Sequence, residues 1–147
     1  IPPNRYAYYL TPQGFTEKTR LTAEFLSDSL IFFRRARSQY LEIYEHCLIS
    51  GWKKLVLAGA SELSEIAILA AREHNIELQG VVVKNEENSS CYGLPVVHSI
   101  TASNMPDAVI ITELSKPQEE YDNLRIILPA NRVFAPQILN IERWLKN

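Results

Sequence analysis

Residues 55–67 read Leu-Val-Leu-Ala-Gly-Ala-Ser-Glu-Leu-Ser-Glu-Ile-Ala, and this stretch decides the fold. Its first four residues form a short apolar run that is typical of a buried parallel strand. Gly59 follows as a turn residue, and apolar residues at positions 63, 66, 67 and 70 then recur at helical spacing. A strand, a glycine turn and a helix in this order predict the first βα unit of a dinucleotide-binding fold.

The same alternation continues to the end of the chain. Strands are predicted over residues 54–58, 76–83, 108–112 and 124–128, with a short extended piece at 94–97. Helices are predicted over residues 61–75, 99–104, 116–123 and 136–146, and residues 85–92 read as a polar loop. This alternation predicts an α/β domain over residues 52–147, with a Rossmann-like parallel sheet and helices on both of its faces.

The glycine turn retains only part of a dinucleotide-binding fingerprint. The pattern G-x-G-x-x-G/A falls on Gly59, Ser61 and Ser64, so that only the first glycine is present. Ser61 places a side chain where a pyrophosphate would approach, although its hydroxyl could also donate to a phosphate. Glu62 complements the helix dipole but repels a phosphate at the same place. Three interpretations remain open: a degenerate turn without a nucleotide, a site for a nucleotide or other small anion, or a working nicotinamide site.

Two further positions extend the candidate site. Lys84 follows the second strand, where a dinucleotide site normally carries an acidic residue for the ribose hydroxyls. Residues 129–132, Pro-Ala-Asn-Arg, follow the fourth predicted strand, at the end of the sheet where ligands bind. The candidate ligand-binding residues are therefore Gly59, Ala60, Ser61, Glu62, Lys84, Asn131 and Arg132.

Neither catalytic residues nor metal ligands are predicted. The sequence contains no G-x-S-x-G nucleophile elbow, no P-loop and no Tyr-x-x-x-Lys pair. Its three histidines lack partners at the spacing of a metal site. Cys47 and Cys91 form no CxxC motif, so we expect neither a disulfide scaffold nor a zinc site, and both thiols are expected to be reduced.

A long helix is predicted upstream of the sheet domain, over about residues 12–49 within a segment 12–50. Thr11 suits the N-cap, Pro12 the first helical position and Gly51 the end of the helix. Apolar residues recur along it at spacings of three and four and form a seam, made of Leu26, Phe33, Ala36, Tyr40, Ile43 and Cys47. One interpretation is a homodimer formed through residues 21–48. The other is a helix broken near residues 27–29 and folded onto its own domain.

Composition places the chain among ordinary soluble globular proteins. It has 147 residues, of which 46% are hydrophobic and 22% charged. The net charge of −2 gives no general attraction to nucleic acid or to an anionic membrane. Apolar runs stay well short of the roughly 20 residues that span a bilayer. We therefore expect a cytoplasmic protein without a membrane partner, and the strand-like start at Ile1 leads us to expect a fragment of a longer chain.

Residues 6–22, Tyr-Ala-Tyr-Tyr-Leu-Thr-Pro-Gln-Gly-Phe-Thr-Glu-Lys-Thr-Arg-Leu-Thr, resemble the end of a MarR-like winged helix. In those regulators the last wing strand runs into a Y-x-L-T-x-x-G motif, and a long helix follows that helps to form the dimer. The resemblance implies that residues 1–11 are the remnant of a wing. It also implies that DNA is bound only through an upstream domain that this chain does not contain.

Residues 53–128 are similar to small Rossmann-like domains of sugar-modifying and CoA-binding proteins, in which G-A-x-E-x-x-E-I-A follows the first strand. Together the two resemblances imply the effector-binding and dimerising part of a bacterial transcriptional regulator, without catalysis and without a resident cofactor. The alternative is a nucleotide- or nucleotide-sugar-binding enzyme domain of oxidoreductase or epimerase type. An interaction domain without any ligand is a third hypothesis.

Overall fold

A computed structural model of the protein describes residues 17–84 and 90–144. Predictions for residues 1–16, including the wing-like strand and the N-cap at Thr11, lie outside the described residues, as do those for residues 85–89 and 145–147. The chain divides between Arg34 and Arg35 into two compact units. The second unit contains the whole sheet.

The first helix, α1, spans Glu17–Ile49 and is continuous through residues 27–29. Ala36, Tyr40, Tyr44 and Cys47 recur along it at spacings of three and four and are buried. Gly51 follows the helix with φ at +78°, a value that suits glycine at a helix end. The division at Arg34 lies earlier than the predicted boundary at residue 51, because residues 35–49 pack as part of the sheet domain.

Five parallel strands form the sheet, and one short strand is added antiparallel at an edge. The strands are β1 (Leu55–Ala58), β2 (Leu78–Val82), β3 (Ser90–Cys91), β4 (Leu94–Val97), β5 (Ala108–Ile111) and β6 (Val133–Phe134). Their order across the sheet is β3-β4-β2-β1-β5-β6, in which β1 pairs in parallel with both β2 and β5. Among the strands of the described residues, β3 alone runs antiparallel to its neighbour. The predicted α/β fold class, a Rossmann-like parallel sheet behind a long helix, is therefore confirmed.

Helices cover both faces of this sheet. Helix α2 (Glu62–Glu73) connects β1 to β2, whereas α3 (Pro117–Ile127) connects β5 to β6 in the opposite direction across the sheet. Right-handed crossovers in opposite directions place their helices on opposite faces. On the face of α3, Tyr121 and Leu124 pack with Val109 in one buried cluster. On the other face, the Tyr44 hydroxyl of α1 donates to the Ala67 carbonyl of α2 over 2.7 Å, so these two helices lie side by side.

The fourth predicted strand, at residues 124–128, is wrong. Helix α3 runs on to Ile127, and the last parallel strand lies further along the chain at Val133–Phe134. Leu124 and the C-cap residue Leu128 are buried together with Tyr121, whereas Ile126 is 77% exposed. A short apolar run fits a strand and a helix equally well by periodicity alone. The core contact of α3 decides between them.

The predicted terminal helix at residues 136–146 is also wrong over the residues that are described. Gln137–Leu139 form a 3₁₀ turn, after which Asn140 adopts a left-handed conformation with φ at +51°. Residues 141–144 have no regular secondary structure. Their backbone is held instead by α3, since Arg125 donates to the Trp144 carbonyl and the Tyr121 hydroxyl accepts from the Trp144 amide.

The connection between β4 and β5 contains a single 3₁₀ turn, Ala102–Asn104, where a short helix is predicted over residues 99–104. The extended piece predicted at 94–97 is strand β4. Across the part of the chain that the structure describes, helices long and apolar enough to cross a membrane are absent.

Candidate functional site

A cleft of about 360 Å³ lies at the carboxyl ends of β1, β2 and β5. The strand order reverses here, and open α/β sheets bind their ligands at such a switch point. The walls of the cleft are the β1–α2 turn, the end of β2 and the segment that leads from β5 into α3. Of the predicted site residues, Gly59, Ala60 and Lys84 are brought together at this cleft.

Gly59 allows the β1–α2 turn and the turn that follows β5 to meet backbone to backbone beneath the cleft. Its φ is +111°, and a Cβ atom at this position would lie 2.7 Å from both the Cα and the N atom of Glu113. The Gly59 amide donates to the Val82 carbonyl over 2.9 Å, and its carbonyl accepts from the Thr112 hydroxyl over 2.5 Å. The spacing of these segments therefore depends on the absence of a side chain at residue 59.

Ser61 caps α2 and links it to the end of β5. Its hydroxyl oxygen accepts from the Leu63 amide over 3.0 Å, and its single proton is donated to the Thr112 carbonyl over 2.6 Å. The Ser64 hydroxyl accepts from the Ser61 amide over 2.9 Å and so completes a capping box. Ser61 therefore has no proton left for a phosphate, contrary to one expectation from the sequence. Glu62 is exposed beside this cap and does not line the cleft.

Charged side chains of both signs line the cleft. The Lys84 ammonium lies 3.8 Å from a carboxylate oxygen of Glu120, and the Lys116 ammonium lies 4.0 Å from one of Glu119. Glu113 adds a third carboxylate. Two lysines and three glutamates give the lining a formal charge of −1, which disfavours a pyrophosphate.

Compared with Glu119, whose side chain is 64% exposed, Glu120 is largely buried. Its side chain is 13% exposed, whereas that of Lys84 is 53% exposed. Burial raises the pKa of Glu120, the nearby Lys84 lowers it, and the charges of Glu113 and Glu119 raise it further. The cleft thus holds a desolvated carboxylate whose neighbours include more negative charge than positive.

Asn131 and Arg132 lie away from this cleft. They directly precede β6 and therefore sit at the amino ends of the strands, because the strand expected before them is part of α3. The Arg132 guanidinium donates to the Asp107 carbonyl over 2.9 Å and lies 4.4 Å from the ring centre of Trp52. The Asp107 carboxylate accepts from the Lys54 amide, and this bond lowers its pKa. Arg132 is thus part of a structural cluster at the opposite end of the sheet.

Sequence reasoning missed the four charged residues of the cleft other than Lys84, namely Glu113, Lys116, Glu119 and Glu120. The signal was present, since these residues follow the strand at 108–111 and so belong at the carboxyl edge of the sheet. Within residues 17–84 and 90–144, no group of three or more His, Cys, Asp or Glu side chains could hold a metal ion. Cys47 is buried, and burial raises its pKa to about 11, which disfavours the reactive thiolate.

Comparison with known proteins found no matching protein family, no similar curated protein and no similar solved structure. The resemblances to MarR-like regulators and to sugar-modifying or CoA-binding domains therefore rest on the residues quoted for them above. Beyond those resemblances, the geometry of the cleft and of α1 is what bears on function.

Proposed function

We propose that this chain is the dimerising, ligand-sensing part of a bacterial transcription regulator and has no catalytic activity of its own. The observation that carries the proposal is the apolar surface of α1. Six large apolar side chains between residues 21 and 32 are more than a third exposed: Leu21 (52%), Phe25 (69%), Leu26 (57%), Leu30 (56%), Ile31 (51%) and Phe32 (38%). A surface of this kind on a helix needs a partner.

Five of these side chains lie on one half of α1, while Ile31 lies on the opposite side, because each residue turns the helix by about 100°. Leu21, Phe25 and Phe32 are separated by four and seven residues, and Leu26 and Leu30 by four, so each set follows the helical repeat. Ser29 lies between the two sets, and its hydroxyl donates to the Phe25 carbonyl over 2.9 Å. A small residue whose polar group is already paired favours close approach by another helix.

The size of this surface fits a second copy of the chain. A large apolar side chain that is about half exposed presents on the order of 100 Å², so the five together present about 500 Å². Stable interfaces bury about 800 Å² per partner, and flanking polar side chains would supply the difference. Because Ala36, Tyr40, Tyr44 and Cys47 are buried within the chain, the pairing surface proposed here is confined to the first half of the range 21–48.

Ligand sensing is supported by a hydrogen bond between α1 and the floor of the cleft. The buried Tyr40 hydroxyl donates to the Ile111 carbonyl at the end of β5 over 2.9 Å. The next residue, Thr112, accepts from the Ser61 hydroxyl, and the residue after it, Glu113, lines the cleft. A ligand that moves Glu113 therefore acts on the same short segment that holds α1.

The geometry gives less support to the alternative of a nucleotide- or nucleotide-sugar-binding enzyme domain. The α2 cap uses the Ser61 proton internally, and the charge of the cleft lining is negative. Lys84 stands where a carboxylate would bind ribose hydroxyls. A regulatory ligand other than a dinucleotide fits these observations better.

Static light scattering on two matched variants tests dimerisation. Phe25→Glu places a charge on the exposed apolar side of α1, and Ser27→Glu places the same charge about 200° around the helix from both Phe25 and Ser29, since residues turn by about 100° each. We expect the unmodified chain and Ser27→Glu to be dimers at micromolar concentration and Phe25→Glu to be a monomer with unchanged helix content by circular dichroism. A monomeric unmodified chain at several hundred micromolar would refute dimerisation.

A further inference from the structure

We infer that the cleft at the carboxyl ends of β1, β2 and β5 takes a small zwitterionic ligand, one that carries both an ammonium group and an anionic group. The inference rests on the ligand-sensing role proposed above and specifies the chemistry of the ligand. It follows from how the five charged side chains of the cleft are arranged.

The two lysines of the cleft are only loosely paired. Lys84 lies 3.8 Å from Glu120, and Lys116 lies 4.0 Å from Glu119, both near the upper limit for an ion pair. The lysine side chains are 53% and 76% exposed, and ion pairs this open contribute little to stability. Both lysines can therefore turn to the anionic group of a ligand at small cost.

The carboxylates of the cleft, in turn, favour a cation. Glu120 is 13% exposed and is opposed by the charges of Glu113 and Glu119, while Lys84 alone among the groups that act on it attracts its charge. An ammonium group placed between Glu113 and Glu120 would relieve this repulsion. A ligand with only negative charge would increase it.

The dimensions of the cleft limit the ligand to a small molecule. Its volume is about 360 Å³, near the lower end of the range for ligand pockets. Val82, the last residue of β2, and Val83 after it add apolar surface to the lining of the cleft. A short aliphatic chain or ring with an ammonium at one end and a carboxylate or similar anion at the other matches these walls.

Nuclear magnetic resonance titrations with three probes of equal length test the inference. The probes are 6-aminohexanoate, hexanoate and hexylamine, added at equal ionic strength to the ¹⁵N-labelled chain. A separate titration with NAD tests for an anionic dinucleotide. We expect 6-aminohexanoate to shift the amide signals of Gly59, Ala60 and Glu113 at a several-fold lower concentration than either single-charge probe. Removing one charge partner weakens such contacts by up to about fivefold.

Three variants separate the charges. Lys84→Gln is expected to weaken 6-aminohexanoate and hexanoate alike, whereas Glu120→Gln should weaken 6-aminohexanoate and leave hexanoate unchanged or tighter. Lys53→Gln serves as the control, because Lys53 is exposed and precedes β1 at the other end of the sheet. It should leave all three titrations unchanged.

Each contrary outcome has a distinct meaning. If hexanoate or NAD shifts these signals at least as strongly as 6-aminohexanoate, the cleft is an anion site and the zwitterion inference fails, although the ligand-sensing proposal stands. If none of the probes, NAD included, shifts them at 50 mM, both the inference and the ligand-sensing role fail. Light scattering on the same sample reports the dimer independently of either result.

Discussion

Replacing Gly59 by alanine tests how closely the two turns below the cleft are packed. The new Cβ atom would lie 2.7 Å from two backbone atoms of Glu113, so β5 or the β1–α2 turn would have to move. Backbone displacement in a packed region costs about 1–3 kcal/mol. A non-glycine residue at φ of +111° adds about 1–3 kcal/mol of conformational strain. The expected loss is therefore about 4 kcal/mol, a large part of the 5–15 kcal/mol typical of a domain.

Gly51→Ala is the matched control for this experiment. Gly51 also has positive φ, at +78°, but a Cβ atom there would meet nothing within 4 Å. Only the conformational term of about 1–2 kcal/mol applies. At roughly 3 °C per kcal/mol, differential scanning calorimetry should show a decrease in Tm of about 12 °C for Gly59→Ala and about 3–6 °C for Gly51→Ala. Equal decreases for the two variants would refute the close backbone contact with Glu113.

Three further substitutions probe the hydrogen bonds and the buried charge around the cleft. Ser61→Ala removes both the α2 cap and the bond to Thr112, so urea unfolding should show a loss of about 2 kcal/mol, and a loss below about 0.5 kcal/mol would contradict the capping role. Tyr40→Phe keeps the ring but deletes the donor to the Ile111 carbonyl, with an expected loss of about 1–2 kcal/mol in the same assay. Burial raises the pKa of Glu120 in the folded state, so the folded chain binds the carboxyl proton more tightly than the unfolded chain does. The contribution of Glu120 to the free energy of unfolding therefore falls as pH rises from the ordinary glutamate pKa through the raised one. Glu120→Gln should therefore increase Tm at pH 7 but not at or below about pH 4, near the ordinary glutamate pKa. An equal increase in Tm at both pH values would contradict burial of the charged carboxylate as the cause.

The α/β class could be predicted because its signals are local. The apolar run at 55–58, the glycine turn and the amphipathic helix after it are each set by neighbouring residues, and the structure places β1 and α2 there. The same holds for the strand at 108–111. Right-handed crossovers then set the face of the sheet on which each connecting helix lies, and this rule does not depend on sequence detail.

The wrong secondary-structure predictions lie near the end of the chain, at residues 124–128 and 136–146, where contacts with the core outweigh the local pattern of apolar residues. Residues 124–128 have strand-like composition, but Tyr121 and Leu124 are anchored in the core at helical spacing. Because the strand lies at residues 133–134 and not at 124–128, Asn131 and Arg132 precede it and lie at the amino end of the sheet, where the carboxyl end was predicted. The buried face of the second half of α1 could not be predicted either, because apolar residues that face the protein's own sheet domain and those that face a second helix recur at the same spacing.

The Ser61 hydroxyl already caps α2 and bonds the end of β5. A pyrophosphate at this helix end would have to compete with those two hydrogen bonds. A glycine at this position, as the dinucleotide fingerprint requires, would open the approach to the helix end but would also cut the bond to the Thr112 carbonyl. Converting this domain into a dinucleotide binder would therefore require a new anchor between α2 and β5 before Ser61 is replaced.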